Sequence, residues 1–147
     1  VTLPGAADLL LAQDGDADLE LTLRALRQEA PGVRVAVARD GAEALDFLLA
    51  GGTYAARAAL PPVAAALVDL RLARLDGFAV LERLRAERRT ALLPVVILSA
   101  STDPDDRERA YRLGANSYVE TGLDYGAFAG AIGLVARYWT GVNRPAR

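Results

Sequence analysis

Ala64-Ala65-Ala66-Leu67-Val68-Asp69-Leu70-Arg71-Leu72 is the stretch that decides the fold. Small and apolar residues lead straight into an aspartate, with no alternation of polar and apolar positions. A continuous run of this kind is the pattern of a strand covered on both faces, as in a parallel sheet between helices. Asp69 falls where that strand should stop. Open α/β sheets bind their ligands at the carboxyl ends of their strands. A single aspartate there is equally at home as a loop residue or a helix cap, so its meaning depends on how the other strands end.

On the N-terminal side, residues 1–7 carry no periodicity and read as a loose segment. Asp8 to Ala12 is a first buried strand, followed by Gln13-Asp14. Gly15-Asp16-Ala17-Asp18 opens a helix whose first turn holds the acids that free N–H groups and the helix dipole favour. Leu19, Leu23 and Leu26 give it an apolar face, and Pro31-Gly32 stops it. Val33 to Ala38 reads as a second strand nearer an edge. Asp40-Gly41 turns into a helix ended by Gly51-Gly52, and residues 53–62 form a loop that is long for such a fold.

On the C-terminal side, Asp76-Gly77 starts a third helix and Pro94 to Leu98 is a fourth strand with Ser99-Ala100-Ser101 at its end. Asp103-Pro104-Asp105-Asp106 is a helix start, with a capping Asp, Pro in the first position and acids in the first turn. Asn116 to Val119 is a short fifth strand before Glu120-Thr121-Gly122. Asp124 caps a last helix through Phe128, Ile132, Val135 and Trp139. Five β-α units with right-handed crossovers predict a flavodoxin-like doubly wound parallel sheet ordered 2-1-3-4-5. Residues 8–140 form that domain and residues 141–147 a polar tail.

Composition narrows the function. The 147 residues carry 52% apolar side chains, enough for one full-sized core. No apolar run is long enough for a membrane span and no segment reads as a signal peptide, so a cytoplasmic protein is expected. With 17 basic and 19 acidic residues dispersed along the chain, the net charge of −2 argues against a nucleic-acid surface. There is no Cys and no His, which removes thiol chemistry and the commonest general base. Lys is absent as well, so every basic side chain is Arg.

A parallel sheet brings Gln13, Asp14, Asp69, Ser99, Glu120 and Thr121 to one edge. Two carboxylates with a backbone carbonyl nearby suit Mg²⁺, a hard cation that keeps several waters. An aspartate in such a place is also a candidate nucleophile toward a phosphoryl group.

Asp-Gly-Ala-Glu-Ala-Leu (40–45), Val-Asp-Leu-Arg-Leu (68–72), Asp-Gly-Phe (76–78), Pro-Val-Val-Ile-Leu-Ser (94–99) and Arg-Leu-Gly-Ala-Asn-Ser-Tyr-Val (112–119) occur in that order. Together they resemble the response-regulator receiver domain of two-component signalling. The helix at 21–26, the loop at 53–62 and the ending at 138–145 further resemble single-domain regulators that partner bacterial phytochromes. The resemblance implies that Asp69 is the phosphoacceptor, that Ser99 and Tyr118 are the switch residues, and that Asp14, Asp69 and the backbone carbonyl of Arg71 hold Mg²⁺. It implies a sensor histidine kinase, such as a bacteriophytochrome, as partner, and no enzymatic activity of its own.

Two positions depart from the family. Gln13 stands where a second acid is usual, and Thr121-Gly122 where lysine and proline are usual. A lost charge-assisted hydrogen bond to phosphate costs about 1.5–3 kcal/mol, and one carboxylate fewer weakens Mg²⁺ binding. The other reading is therefore a degenerate receiver, a phosphate-independent interaction module. A phosphohydrolase with an Asp nucleophile commonly carries a second Asp two residues on, and here that residue is Arg71. Finally, Tyr138, Trp139 and the tail beyond them suggest an exposed aromatic patch and a homodimer through the C-terminal helix and tail.

Overall fold

The structure, a computed structural model, describes residues 7–146. Of the loose segment expected over residues 1–7, residues 1–6 lie outside the described residues. Five strands alternate with five helices. They are β1 (Leu9–Ala12), α1 (Asp16–Glu29), β2 (Val35–Ala38), α2 (Gly41–Leu49), β3 (Ala65–Asp69), α3 (Gly77–Ala86), β4 (Val95–Ser99), α4 (Pro104–Arg112), β5 (Ser117–Glu120) and α5 (Tyr125–Arg137). All neighbours pair in parallel in the order β2-β1-β3-β4-β5. This is the flavodoxin-like α/β fold expected, with β2 at an edge.

Successive strand residues point to opposite faces, and the core divides accordingly. Leu10, Ala12, Ala66, Val68, Val95 and Ile97 pack with residues of α2 and α3. Leu9, Leu11, Ala65, Leu67, Val96 and Leu98 pack with residues of α1 and α5. The residues of β1 are wholly buried and those of β3 are buried up to Asp69, which is why these runs do not alternate in sequence.

The helix starts follow local rules. Asp40, Asp76, Asp103 and Asp124 each cap a helix by accepting a backbone N–H from its first turn. The Asp-Gly pairs do more. The Gly41 N–H donates to the Ala73 carbonyl, and that of Gly77 to the Leu70 carbonyl. A Cβ at Gly41 would lie 2.0 Å from the Leu75 carbonyl oxygen, and one at Gly77 2.7 Å from that of Asp69. Two helix N-termini thus press without side chains on the loop after β3.

Two regions depart from the sequence expectation. The expected loop contains a run of 3₁₀ turns over Gly52–Ala59. The Tyr54 hydroxyl donates to Glu43 at 2.9 Å, and the ring meets Phe47 edge-on at 5.1 Å. Arg57 is buried with its guanidinium 3.8 Å over the Phe47 ring, donating to the Phe47 carbonyl at the end of α2. These partners come from α2, so local sequence could not announce the turns.

The second departure is at the C-terminus. The α-helix stops at Arg137 and a wider π-type turn follows over Tyr138–Val142. This turn carries Trp139 onto the α1–α5 side of the core, where it is partly buried, edge-on to Tyr138 at 4.9 Å. Trp139 is therefore not part of an exposed patch. The exposed apolar residues there are Leu134 (64%), Tyr138 (43%) and Val142 (67%).

The contrast between glycines yields a test. Gly41→Ala should destabilise the fold by about 2 kcal/mol or more, toward the upper range for overpacking. Gly130, with nothing within 4 Å of its absent Cβ on α5, should gain about 0.5–1 kcal/mol as Ala. Urea unfolding of both variants checks the pair.

Candidate functional site at the carboxyl edge of the sheet

The register fixes which residues meet. Ala12 pairs with Val68 and Asp69 with Leu98, so the next step of β1 brings Gln13 level with Asp69. Ser99 pairs with Glu120, and the Thr121 N–H continues the ladder to the Ser99 carbonyl at 2.8 Å. Gln13, Asp14, Asp69, Ser99 and Thr121 therefore share one edge, as the parallel arrangement required.

Asp69 is half-buried, and its Oδ1 accepts the Arg71 backbone N–H at 3.0 Å. Burial is the main cause holding its carboxyl above the ordinary carboxylate value. The Arg71 N–H opposes the rise, the charges of Asp14 and Asp18 add to it, and the Gln13 amide acts to lower it. Asp14 is exposed, and its Oδ2 accepts the Ala73 N–H at 3.0 Å. That bond ties the loop after β1 to the loop after β3. The Arg71 side chain is exposed.

On the β4 side, buried Ser99 accepts the Ser101 N–H on its Oγ at 3.0 Å. The Ser101 hydroxyl donates to Asp106 at 2.7 Å. Tyr118, half-buried, donates its hydroxyl to the Ser101 carbonyl at 3.2 Å. Ser99 and Tyr118 thus meet through one loop residue, Ser101, which the sequence had not singled out. A hydroxyl two residues beyond a strand end was the only signal available.

Gln13 is 3% exposed, and its Oε1 has no hydrogen-bond partner among the described residues. It shares a cavity of about 130 Å³ with Asp18, Asp69 and Thr121. Asp14 does not line this cavity, so the two residues after β1 serve different sides of the edge. In sequence, Asp18 is indistinguishable from a first-turn acid favoured by the helix dipole, and its place beside Asp69 was missed.

The donors suit a hard divalent cation. Asp14 and Asp69 offer carboxylate oxygens at one edge, and Mg²⁺ needs only one or two carboxylates with waters completing the shell. No group of three or more acids forms a ready-made metal cage among the described residues. No helix among them is long and apolar enough to cross a membrane.

Comparison with known proteins agrees with this geometry. A family model, the response regulator receiver domain, matches residues 9–128. A probable methanogenesis regulatory protein of Methanothrix harundinacea, FilR2, is 35% identical over 139 residues, covering 92% of this chain and 85% of FilR2. Response regulator Rcp1 of Synechocystis is 32% identical over 111 residues, 76% of this chain and 74% of Rcp1. The crystal structure of the Mn²⁺-bound form of Rcp1 superposes with a TM-score of 0.83 at 26% identity, over 96% of this chain and 99% of that one. The phosphorylated cyanobacterial phytochrome response regulator RcpA gives a TM-score of 0.85 at 27% identity, also over 96% and 99%.

The chain belongs to the response regulator receiver domain family. It is a signalling domain and not a catalytic enzyme, structurally similar to phytochrome response regulators.

The Asp69 environment predicts a pH effect. An acid whose pKa is raised by folding binds more protons folded than unfolded, so stability falls as pH rises. The loss should begin near the ordinary value of 3.8 and be complete above the raised folded value. Asp69→Asn should remove this contribution and leave the protein at least as stable as wild type at neutral pH. Thermal unfolding of both proteins from pH 4 to 8 checks the direction.

Proposed function

We propose that this protein is a single-domain response regulator that accepts a phosphoryl group on Asp69 from a histidine-kinase partner. The observation that carries this reading is the half-buried Asp69 at the carboxyl edge, close to Asp14 and at the head of the loop clamped by the two Asp-Gly helix starts. In the transfer, an Asp69 carboxylate oxygen forms a bond to phosphorus as the bond from phosphorus to the kinase histidine breaks. Asp14, Asp69 and the Arg71 carbonyl would hold Mg²⁺, which screens the negative charge of the incoming group. Gln13 supplies no second carboxylate, so binding of the metal is weak and depends on Asp14.

Ser99 and Tyr118 are the proposed switch. The Ser99 hydroxyl turns from the Ser101 N–H toward the phosphoryl oxygens, and Tyr118 gives up the Ser101 carbonyl. Such a change is a shift between two populated states. A phytochrome-type kinase is the favoured partner on the likeness to the phytochrome response regulator RcpA, and a cytoplasmic location fits that partnership. Leu134, Tyr138 and Val142, spaced four apart on one exposed face, support a homodimer through α5 and the turn beyond it. Light scattering on the full chain and on one truncated after Arg137 tests the dimer. A full chain that is monomeric at tens of micromolar (an order-of-magnitude choice from the range of weak dimers) removes it.

The second reading, an interaction module that works without phosphate, is favoured by Gln13 and Thr121. Incubation with Mg²⁺ and acetyl phosphate, read by intact mass, separates the two. The expected result is gain of one phosphoryl group, abolished in Asp69→Asn, with the Mg²⁺ requirement raised about tenfold in Asp14→Asn, the equivalent of about 1.4 kcal/mol. No mass gain where another receiver is modified would favour the module.

A further inference from the structure

The 3₁₀ turns over Gly52–Ala59 bury a single residue, and it is an arginine. Arg57 is 2% exposed, whereas Thr53, Ala55, Ala56, Ala58 and Ala59 around it are exposed. Its guanidinium donates from Nη1 to the Phe47 carbonyl and lies over the Phe47 ring. Nε and Nη2, which carry three of the five N–H donors, are buried without a partner among the described residues. No acid among those residues pairs with Arg57. The charge near it is a second cation, Arg89, which donates to the Leu48 and Arg57 carbonyls. Burial first, and then the Arg89 charge, hold the Arg57 guanidinium below its ordinary pKa.

This docking is poorly balanced. One carbonyl and one ring face stand against three unpaired N–H donors and an ion without counter-charge, so the guanidinium is better solvated in water. Little else holds the segment down. Among the described residues three side-chain hydrogen bonds tie it to its surroundings: Tyr54 to Glu43, Arg57 to Phe47, and Arg89 to the Arg57 carbonyl. Its backbone joins no strand of the sheet. At its entry Ala50 and Gly52 take positive φ, 57° and 53°, a region that disfavours the Cβ of alanine. Release of the turns therefore relieves the entry as well.

We propose that residues 52–60 form a strap that opens locally, carrying Arg57 into water while the sheet stays folded. The unpaired guanidinium sets how often it opens. Tyr54 and Arg57 cover the Phe47 ring in the closed form, so opening uncovers that ring and leaves a cation beside it. The strap leads from the end of α2 into the start of β3, at the amino edge of the sheet and away from Asp69. Its opening needs no phosphoryl transfer.

The test is brief trypsin digestion of the unphosphorylated full chain, in buffer and in low urea, with the cuts read by mass. Trypsin must take the arginine side chain itself, so a docked Arg57 is protected. The expected result is cleavage after Arg57 at least about tenfold faster than after Arg85, and nearly independent of urea, because a local opening exposes little surface. Arg85 is the less buried of the two in the closed structure, so static exposure alone predicts the opposite order. A cut after Arg57 that is no faster than that after Arg85, or that rises with urea as steeply as global unfolding, would overturn the proposal. Arg57→Met replaces an unpaired ion by an apolar side chain of similar length and should leave the urea midpoint unchanged or raised. A lowered midpoint, or a variant that does not fold, would show that the guanidinium holds the segment in place and would overturn the proposal as well.

Discussion

A parallel sheet buried on both faces tolerates polar side chains only where its strands end. Every residue of β1 and all of β3 before Asp69 are sealed between helix layers, where an unpaired polar group would be costly. The chemistry of the chain is therefore confined to the strand ends and the residues just past them. The two-residue period then divides that edge. Ser99 and Tyr118 belong with the α2–α3 side, whereas Gln13 and Thr121 belong with the α1–α5 side. Asp69, on the central strand, borders both. One carboxylate can thus face the loop tied by Asp14 and a separate cavity without any side chain changing strand.

Much of this was legible in sequence because it depends on local rules. Continuous apolar runs marked β1, β3 and β4, and a capping Asp marked four helix starts, three of them in Asp-Gly or Asp-Pro pairs, since capping is read within a single turn. Strand order followed from the β-α alternation, and the edge residues followed from strand order. What remained hidden depended on distant partners. The turns at 52–59 are set by Phe47 and Glu43 on α2. The end of α5 was masked because the spacing of Val135 and Trp139 continues through the π-type turn. Asp18 looked like a first-turn acid, and only the packing of α1 against the sheet puts it beside Asp69.

A chain without lysine must give every internal cationic task to arginine, and the structure shows the pattern this imposes. Arg85, partly buried, donates to the carbonyls of Thr90, Ala91 and Gly114 and to the Asn116 side chain. Arg89 donates to the carbonyls of Leu48 and Arg57. These guanidiniums close loops by satisfying backbone oxygens, a use of the planar five-donor fork that a single ammonium could not copy. The surface pairs Arg34–Asp8, Arg112–Glu108 and Arg107–Glu120 are solvated and add little to stability.

The clamp on the loop after β3 has a dynamic consequence. Gly41 and Gly77 leave no slack between their helix starts and the backbone from Asp69 to Leu75, and Asp14 adds a further tie at Ala73. The opposite flank is built differently. None of the residues of β5 is fully buried, and α4 buries only Ala110. Local opening follows burial and contact density, so the molecule has a stiff flank and a soft one that meet at Asp69. Amide hydrogens of β1 and β3 should exchange only with global unfolding, while those of α4 and β5 exchange through smaller openings. A disturbance at Asp69 therefore has one compliant direction in which to spread, toward β5 and α4.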